Sequence, residues 1–576
     1  MQVVPSFSDL KKALKLINPD FKKIRIAVLG DSATQLICTA LKGMAKLEGI
    51  ELDLYEAEYD QLKQEIIDTE SPFYQFKPEF VLLFHSTQKL SKSFYKKELS
   101  KKETFANNWI DDIAYFLDIL NQQLNTNILF LNFVETDDAI FGNYGLKTRA
   151  SFNYNVKSIN YKLMEMSHLM KNLFVVDLNG LASKYGNNNI ADPKIYITTD
   201  TIFSMDFIPQ LAKLVVDVLL PFTGKFKKCV ILDLDNTTWG GIIGDDGIEN
   251  IQIGDLGIGK AFTEFQYWIK QLKERGIILA VCSKNTEHIA KEPFEKHPDM
   301  VLRLDDISVF VANWENKADN IRYIQSILNI GFDSMVFLDD NPFERNIVRE
   351  NIPQICVPEL PEDPAEYLPY LKSQALFETI SFTHEDLERT KLYQEEANRT
   401  VLQHKFTNEE EFLQNLEMSC IVEPITKFTL PRVAQLSQRS NQFNLRTIRY
   451  SDEAIQAIMD SNNYFSLTFT LKDKYGDYGL ISEIIMENKN DTLFIETWIM
   501  SCRVLKRNVE NFVLNNIVQI GRENGFSKIV GEYIPTAKNA MVADHYKNLG
   551  FEEDGNGFWE LEIKEYQERK NYIEKR

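Results

Sequence analysis

The sequence predicts a multidomain α/β protein that closes with an α+β domain. Short unbroken apolar runs separated by helical patterns fill residues 1–220 and again 221–360, which indicates two parallel sheets, each covered on both faces. From about residue 406 the strands instead follow one another almost without interruption and two helices come late, an α+β order. A length of 576 residues accommodates about three or four domains at roughly 150 residues each.

In the first region the expected strands are IRIAVLG (24–30), FVLLFHS (80–86), NILFLNF (127–133) and LFVVDLNG (173–180). In the second they are KCVILDLD, GIILAVCSKN, MVLRLD and SMVFLDDNP. PELPEDPAEYLPYL (358–371) reads as a Pro- and acid-rich stretch opening a helical connector over 361–405. The last region, 406–576, offers strands FSLTFTLKD, YGLISEIIMEN and TLFIETWIMS and the helix VENFVLNNIVQIGRENG. The strand KIVGEYI, the helix NAMVADHYKNLG and a final strand GFWELEI follow.

A formal charge of −20 and a pI near 5.0, with no basic block, exclude a nucleic-acid partner and point to small molecules or proteins. The six cysteines are spread singly with no C-x-x-C, so neither a zinc site nor a disulfide framework is expected, which fits a reducing compartment. No apolar run approaches the roughly 18 residues of a membrane span. The expectation is a cytoplasmic protein with no membrane partner.

The chemistry concentrates at the end of the run VILDLD. Residues two apart in a strand share a face, so Asp233 and Asp235 aim at one point beyond the sheet edge. Their mutual repulsion is relieved by a cation such as Mg²⁺ or by a proton, and open parallel sheets hold ligands just there. Downstream stand Thr237, Ser283 in LAVCSKN, Lys317 in NWENKADN, and Asp339-Asp340 in VFLDDNPFER. In this order they are similar to the four motifs of the haloacid dehalogenase (HAD) superfamily. That resemblance implies Asp233 as nucleophile and Asp235 as general acid and base, with Thr237, Ser283 and Lys317 on the phosphoryl oxygens. Asp233, the Asp235 backbone carbonyl, and Asp339 or Asp340 would hold Mg²⁺. About 48 residues separate Asp235 from Ser283 and about 22 separate Lys317 from Asp339, too few for a cap domain. A capless, open, Rossmann-like site for a small phosphorylated substrate is expected, one that admits a macromolecular partner.

The flanking regions have resemblances of their own. IRIAVLG followed by Asp31-Ser32 resembles the opening of the SGNH hydrolase fold, a three-layer α/β domain. Ser32 reads either as a nucleophile or as a helix cap, and no histidine lies between 177 and 220 to activate it, so docking is the expected role. The C-terminal element order, ending in Tyr546-x-x-Leu549-Gly550-Phe551, resembles the GNAT acyltransferase arrangement.

DLDNTTWGGIIGDDG, CSKN, NWENKADNI, FLDDNPFER, RSNQFNLRTIRY (439–450), LKDKYGDYGL (471–480) and SCRVLKRNVE (501–510) together resemble the FkbH-like proteins of HAD subfamily IIIC. That likeness implies removal of phosphate from a 1,3-bisphosphoglycerate-like acyl phosphate. The glyceryl group is then held as an enzyme thioester and passed to an acyl carrier protein of polyketide biosynthesis. Cys502 is the thioester candidate, lying beside Arg503 and Arg507, which would favour thiolate; a buried, inert thiol is the competing reading. Cys282 points away from Ser283 and reads as core. Lys506 and Asn508 replace the glycines of a GNAT pyrophosphate loop, which disfavours free coenzyme A but leaves room for a carrier-tethered pantetheine. Asn441 and Asn444 either line that entrance or satisfy backbone groups. A plain Mg²⁺-dependent phosphatase and a non-catalytic docking protein are the alternatives.

Overall fold

The computed structural model describes residues 4–576 apart from 137, 383–385, 387–389, 397–398, 400–405, 407, 506, 537 and 556. It divides into two compact units, Val3–Thr223 and Gly224–Arg576.

The Val3–Thr223 unit is built on β1 (Lys22–Gly30), β2 (Ile50–Glu56), β3 (Phe80–Phe84), β4 (Asn127–Leu131) and β5 (Leu173–Val176). All are parallel, in the order β2-β1-β3-β4-β5. Alternate residues face opposite ways: Ile24, Ile26 and Val28 join one apolar cluster, Ala27 and Leu29 the other, which makes three layers. The strand β2, IELDLYE, was not expected, because its charged residues interrupt the apolar run. The stretch 173–180 is a strand only to Val176; Leu178–Tyr185 is a helix capped by Asp177. Ser32 is not a cap either. Thr34 occupies the N-cap of the helix Gln35–Leu47, and the buried Ser32 hydroxyl donates to Asp31 Oδ1 at 3.0 Å.

In the second unit, β6 (Cys229–Leu232), β7 (Ile278–Ser283), β8 (Val309–Ala312) and β9 (Met335–Leu338) form a parallel sheet ordered β8-β7-β6-β9. Val230, Leu232, Leu279 and Val281 face one apolar cluster, and Cys229, Ile231, Ile278, Ala280 and Cys282 the other. MVLRLD does not form a strand. The N–H groups of Val301 and Leu302 donate to Gln266 Oε1 rather than to a neighbouring strand, and the sheet's edge is the shorter VFVA of β8. Nor does 358–371 behave as a connector. Leu360, Tyr367 and Leu371 are buried in the core under the helix Tyr367–Ser373, and Phe377 packs on Trp268.

The C-terminal part of the same unit carries eight strands: β10 (Met418–Glu423), β11 (Tyr464–Asp473), β12 (Gly476–Lys489), β13 (Thr492–Met500), β14 (Lys528–Glu532), β15 (Glu552–Glu553), β16 (Phe558–Glu562) and β17 (Ile573–Lys575). Their order is β15-β16-β14-β13-β12-β11-β10-β17. Pairing is antiparallel except at β13–β14 and β10–β17, so the α+β expectation holds here in element type. GFWELEI is not the last strand, since β17 follows it. The expected helix 539–550 is a 3₁₀ turn, Ala540–Val542, and a four-residue helix, His545–Asn548. Among the described residues no helix is long and apolar enough to cross a membrane.

Candidate active site

β6 ends at Leu232, and the chain then folds back on itself. Asp233 N donates to Leu338 O at 2.9 Å, Thr238 N to Leu234 O at 2.7 Å, and Thr238 Oγ1 to Asp233 O at 2.6 Å. Asn236 adopts φ 52°, a left-handed conformation that asparagine tolerates, and the turn holds the Asp233 and Asp235 side chains beyond the sheet edge.

Three strands deliver the reactive groups to that edge. Asp339 and Asp340 follow β9, and one oxygen from each of Asp233, Asp339 and Asp340 lies within 4.8 Å of the others, a hard-oxygen set that suits Mg²⁺. Lys317 begins the helix Lys317–Leu328, capped by Asn316, and its Nζ reaches Asp339 Oδ2 at 2.6 Å and Asp233 Oδ2 at 3.0 Å. Burial works against the ammonium, but Asp233 and Asp339 overcome it and hold the Lys317 pKa above the usual range. Burial and then the charge of Asp233 push Asp339 up to about 7 and also raise Asp340. One lysine thus balances less negative charge than three ionised acids would carry, and a divalent cation would complete the set.

The other expected residues adjoin this cluster. Thr237 Oγ1 donates to Asp340 Oδ1 at 3.1 Å and accepts from Asp340 N at 2.9 Å. Asp235 Oδ1 accepts from Trp239 Nε1 and from Ile243 N, both at 3.0 Å, while its Oδ2 accepts from Asn285 Nδ2 at 2.8 Å. Burial nevertheless raises the Asp235 pKa, which favours a carboxyl that can hold and return a proton. Ser283 ends β7, buried, and its Oγ accepts from Asn285 Nδ2 at 3.3 Å.

Asn285 and Trp239 position Asp235 and were not singled out in the sequence; the signal was their place within CSKN and DNTTW. Arg345 also went unnoticed. Buried at 3% exposure, it donates to the carbonyls of Asp339 and Asp340 at 2.8 and 2.6 Å and fixes the acidic loop. Between Asp235 and β7 the chain forms the helices Ile243–Asp246 and Gly259–Glu274 and a β-bridge between Gly240 and Gln252, and between Lys317 and Asp339 one helix, a 3₁₀ turn and β9. Ile242 and Trp314, on the segments after β6 and β8, and Phe343, in the first turn of the helix Pro342–Asn351 after β9, are exposed by 45, 73 and 66%.

The residues expected to receive a carrier fall into two groups. Asn441 and Arg503 line one cavity of about 460 Å³, together with Lys228, Arg432, Arg439 and Lys538. Arg503 is 7% exposed; its Nε donates to Ser501 Oγ at 3.2 Å, and its NH1 atom has no hydrogen-bond partner among the described residues. Arg507 is not part of that lining. It pairs with Glu396 at 2.6 Å and stacks on Tyr478. Asn441 donates to Gly224 O at 3.0 Å, and Asn444 Oδ1 accepts from Thr447 N at 2.8 Å, so both amides serve the backbone. Asn508, at φ 59°, precedes the helix Val509–Glu523. Cys502 opens a 3₁₀ turn, but its side chain lies outside the described residues, as does Lys506. Cys282 is fully buried and its thiol is pushed up by burial.

Comparison with known proteins places these features. The family described as FkbH, N-terminal domain, matches residues 25–220. No curated protein matches the chain. Among solved structures, the N-terminal part of the protein BF1531 from Bacteroides fragilis, containing a phosphatase domain and complexed with Mg, is 52% identical. It is matched over 100% of its length and 66% of this chain, with a TM-score of 0.63. The ribosomal-protein-S18-alanine N-acetyltransferase of Escherichia coli, at 15% identity, is matched over 97% of its length and 26% of this chain, with a TM-score of 0.20. A spermidine N-acetyltransferase of Vibrio cholerae, solved with CoA and spermine, is 14% identical over 98% of its length and 26% of this chain, with a TM-score of 0.21. At 52% identity over the whole Bacteroides fragilis fragment, which contains a phosphatase domain, the chain belongs to that protein's family.

Proposed function

We propose that this chain is a Mg²⁺-dependent HAD enzyme that removes phosphate from a small 1,3-bisphosphoglycerate-like substrate and transfers the acyl group to the thiol of an acyl carrier protein. The observation that carries the phosphatase half is the Asp233, Asp339 and Asp340 cluster bound to a single buried Lys317. Bound Mg²⁺ would draw negative charge from the phosphoryl oxygens. Asp233 attacks the phosphorus of the ester phosphate as its bond to the alcohol oxygen breaks, and Asp235 gives that oxygen its proton and later takes one from water, which releases inorganic phosphate and leaves the acyl phosphate intact. Lys317, Ser283 and Thr237 hold the phosphoryl oxygens.

The transfer half needs a thiolate that attacks the acyl carbon and expels the second phosphate, and whose thioester the carrier's thiol then attacks, returning the enzyme thiol. Burial raises the thiols of Cys38, Cys229, Cys282, Cys356 and Cys420, which disfavours them and leaves Cys502 as the candidate. The basic cavity at Arg503 and Asn441 suits the phosphodiester of a carrier arm, and the absence of a cap between the HAD motifs suits a carrier as partner. In this reading the N-terminal domain is SGNH-like and non-catalytic, the C-terminal domain is GNAT-like, and the reaction is cytoplasmic. Incubating the protein with Mg²⁺, an acyl phosphate and a phosphopantetheinylated carrier should add the acyl mass to the carrier by intact-mass spectrometry. Cys502→Ser should lose a hydroxylamine-sensitive acyl adduct on the enzyme while still releasing phosphate. Phosphate release with no acyl mass on either protein would leave a plain phosphatase.

A further inference from the structure

The N-terminal unit has a cavity that the phosphatase reading does not use. In the order β2-β1-β3-β4-β5 the connections leave β1 and β3 toward opposite edges of the sheet, and open parallel sheets bind ligands where such strands end. Asp31 follows β1, and His85-Ser86 follows β3. All three line a cavity of about 480 Å³, a size typical of small-molecule sites.

Its charge is unusual for this chain. Lys89 is balanced by Asp60 at 2.8 Å. Asp31 accepts from Ser86 N at 3.0 Å and from Ser32 Oγ at 3.0 Å, and burial raises its pKa above the ordinary carboxylate value. The lining holds Lys63, Lys89, Lys97 and Lys101 against Asp31, Asp60 and Asp112, one more cation than acid in a protein of net charge −20. Lys101 has a second acid near, Glu98, at 3.8 Å between two exposed side chains, a contact of little worth. A phosphate monoester, with three acceptor oxygens and a charge of about −1.5 to −2, can be shared by Lys63, Lys97 and Lys101, whereas a carboxylate offers two oxygens and one charge.

The cavity also has an unused polar atom. His85 is 8% exposed, stacked on Phe130 with centroids 5.7 Å apart and set edge-on to Trp109 at 5.5 Å. Its Nδ1 lies 4.0 Å from Asp31 Oδ2, and its buried Nε2 has no hydrogen-bond partner among the described residues. Burial lowers its pKa to about 3, so the ring is neutral and has one hydrogen bond to offer a ligand. Ser32 is committed to Asp31, which argues for binding here rather than hydrolysis.

We propose that the cavity at the ends of β1 and β3 binds a small phosphorylated alcohol, its phosphate against Lys63, Lys97 and Lys101 and a hydroxyl on His85 Nε2. The site is separate from the HAD cluster and does not depend on the function proposed above.

The test uses the full chain with a chelator, so that the phosphatase is silent, and sn-glycerol 3-phosphate as probe. Hydrogen–deuterium exchange should show protection of peptides covering 85–113, and calorimetry should give an affinity that the triple variant Lys63→Ala, Lys97→Ala, Lys101→Ala weakens at least about tenfold. His85→Phe should weaken it about fivefold or more, whereas Asp339→Ala should leave the protection at 85–113 unchanged. The lysines are exposed, so their replacement keeps the test valid even if His85→Phe fails to fold. Absence of protection, protection indifferent to the lysines, or inorganic phosphate binding as tightly as the ester would each overturn the proposal.

Discussion

Asp31 and Asp233 occupy matching places, each the first residue beyond an interior strand of a parallel sheet. Even their backbone bonds agree: Asp31 N donates to Phe84 O at 3.1 Å and Asp233 N to Leu338 O at 2.9 Å, each to the last residue of an adjacent strand. What differs is what the adjacent strand supplies next. After β3 come a neutral histidine and the Ser86 backbone N–H, and the N–H donates to Asp31 at 3.0 Å. After β9 come two more acids, which leave Asp233 in a cluster with an excess of negative charge. A strand-end aspartate is thus a structural anchor or a phosphoryl-transfer group according to its neighbours, and one-dimensional sequence shows those neighbours only when they recur as motifs.

The comparison breaks most sharply if Asp233 proves dispensable. Asp233→Asn keeps the side chain's shape but is a poor nucleophile and removes one charge from the cluster, so phosphate release should fall at least about a thousandfold. A phosphate-release assay, with circular dichroism to check the fold, decides it; near-normal turnover would place the nucleophile elsewhere.

Lys317→Met, which also removes a phosphoryl-oxygen partner, should give the next largest effect, read here on stability. The ammonium is 4% exposed and shared by two carboxylates, so removing it leaves buried negative charge without its partner, at a cost of about 3–5 kcal/mol. Urea unfolding in chelator should show that loss, and added Mg²⁺ should restore part of it by supplying the missing positive charge. The N-terminal cluster around Asp31 contains no such dependence, so a stabilisation by Mg²⁺ that survives Asp339→Ala would contradict the assignment.

Much of this contrast was legible from sequence because DLDNTT, CSKN, NWENKADN and FLDDNP keep their order, and because β6, β7 and β9 are unbroken apolar runs. The misreadings have a common cause. MVLRLD has strand composition, but Gln266, about 35 residues earlier, takes its N–H groups; β8, with only four residues, offered too little pattern to find. Residues 358–371 look like a linker by their prolines, yet Leu360, Tyr367 and Leu371 supply a buried face, which stabilises by about 1.5–3 kcal/mol for each large apolar side chain. His85 was passed over inside an apolar run because nothing local indicates that its ring borders a cavity. In each case the deciding partner is distant in sequence.

The two strand ends should also respond to pH in opposite senses. In Mg²⁺-free protein Asp339 has a folded pKa of about 7 against 3.8 unfolded, so the folded state binds the extra proton and its stability falls as pH rises from 3.8 toward 7. His85 has a folded pKa of about 3 against 6.5, so the unfolded state binds the extra proton and stability falls as pH drops from 6.5 toward 3. Each effect should amount to a few kcal/mol across its window, at about 1.4 kcal/mol per pH unit. Differences in urea stability between wild type and Asp339→Asn, and between wild type and His85→Phe, isolate the two contributions, and slopes of the same sign would refute one of them.

The smallest expected effect is at Ser32, the residue most open to misreading as a nucleophile. Its hydroxyl donates to Asp31 Oδ1, and His85 Nδ1 lies nearest the other oxygen, Oδ2, at 4.0 Å. In a hydrolytic triad the histidine stands between serine and acid; here the acid stands between serine and histidine, so no base can take the serine's proton. Ser32→Ala should therefore leave hydrolysis of simple esters and release of phosphate unchanged, and should cost about 1 kcal/mol of stability for one lost hydrogen bond. A drop in ester hydrolysis would mean that Asp31 is not the acceptor in the working protein. The two strand ends would then both be reactive, and their difference would lie in the chemistry performed rather than in whether any is.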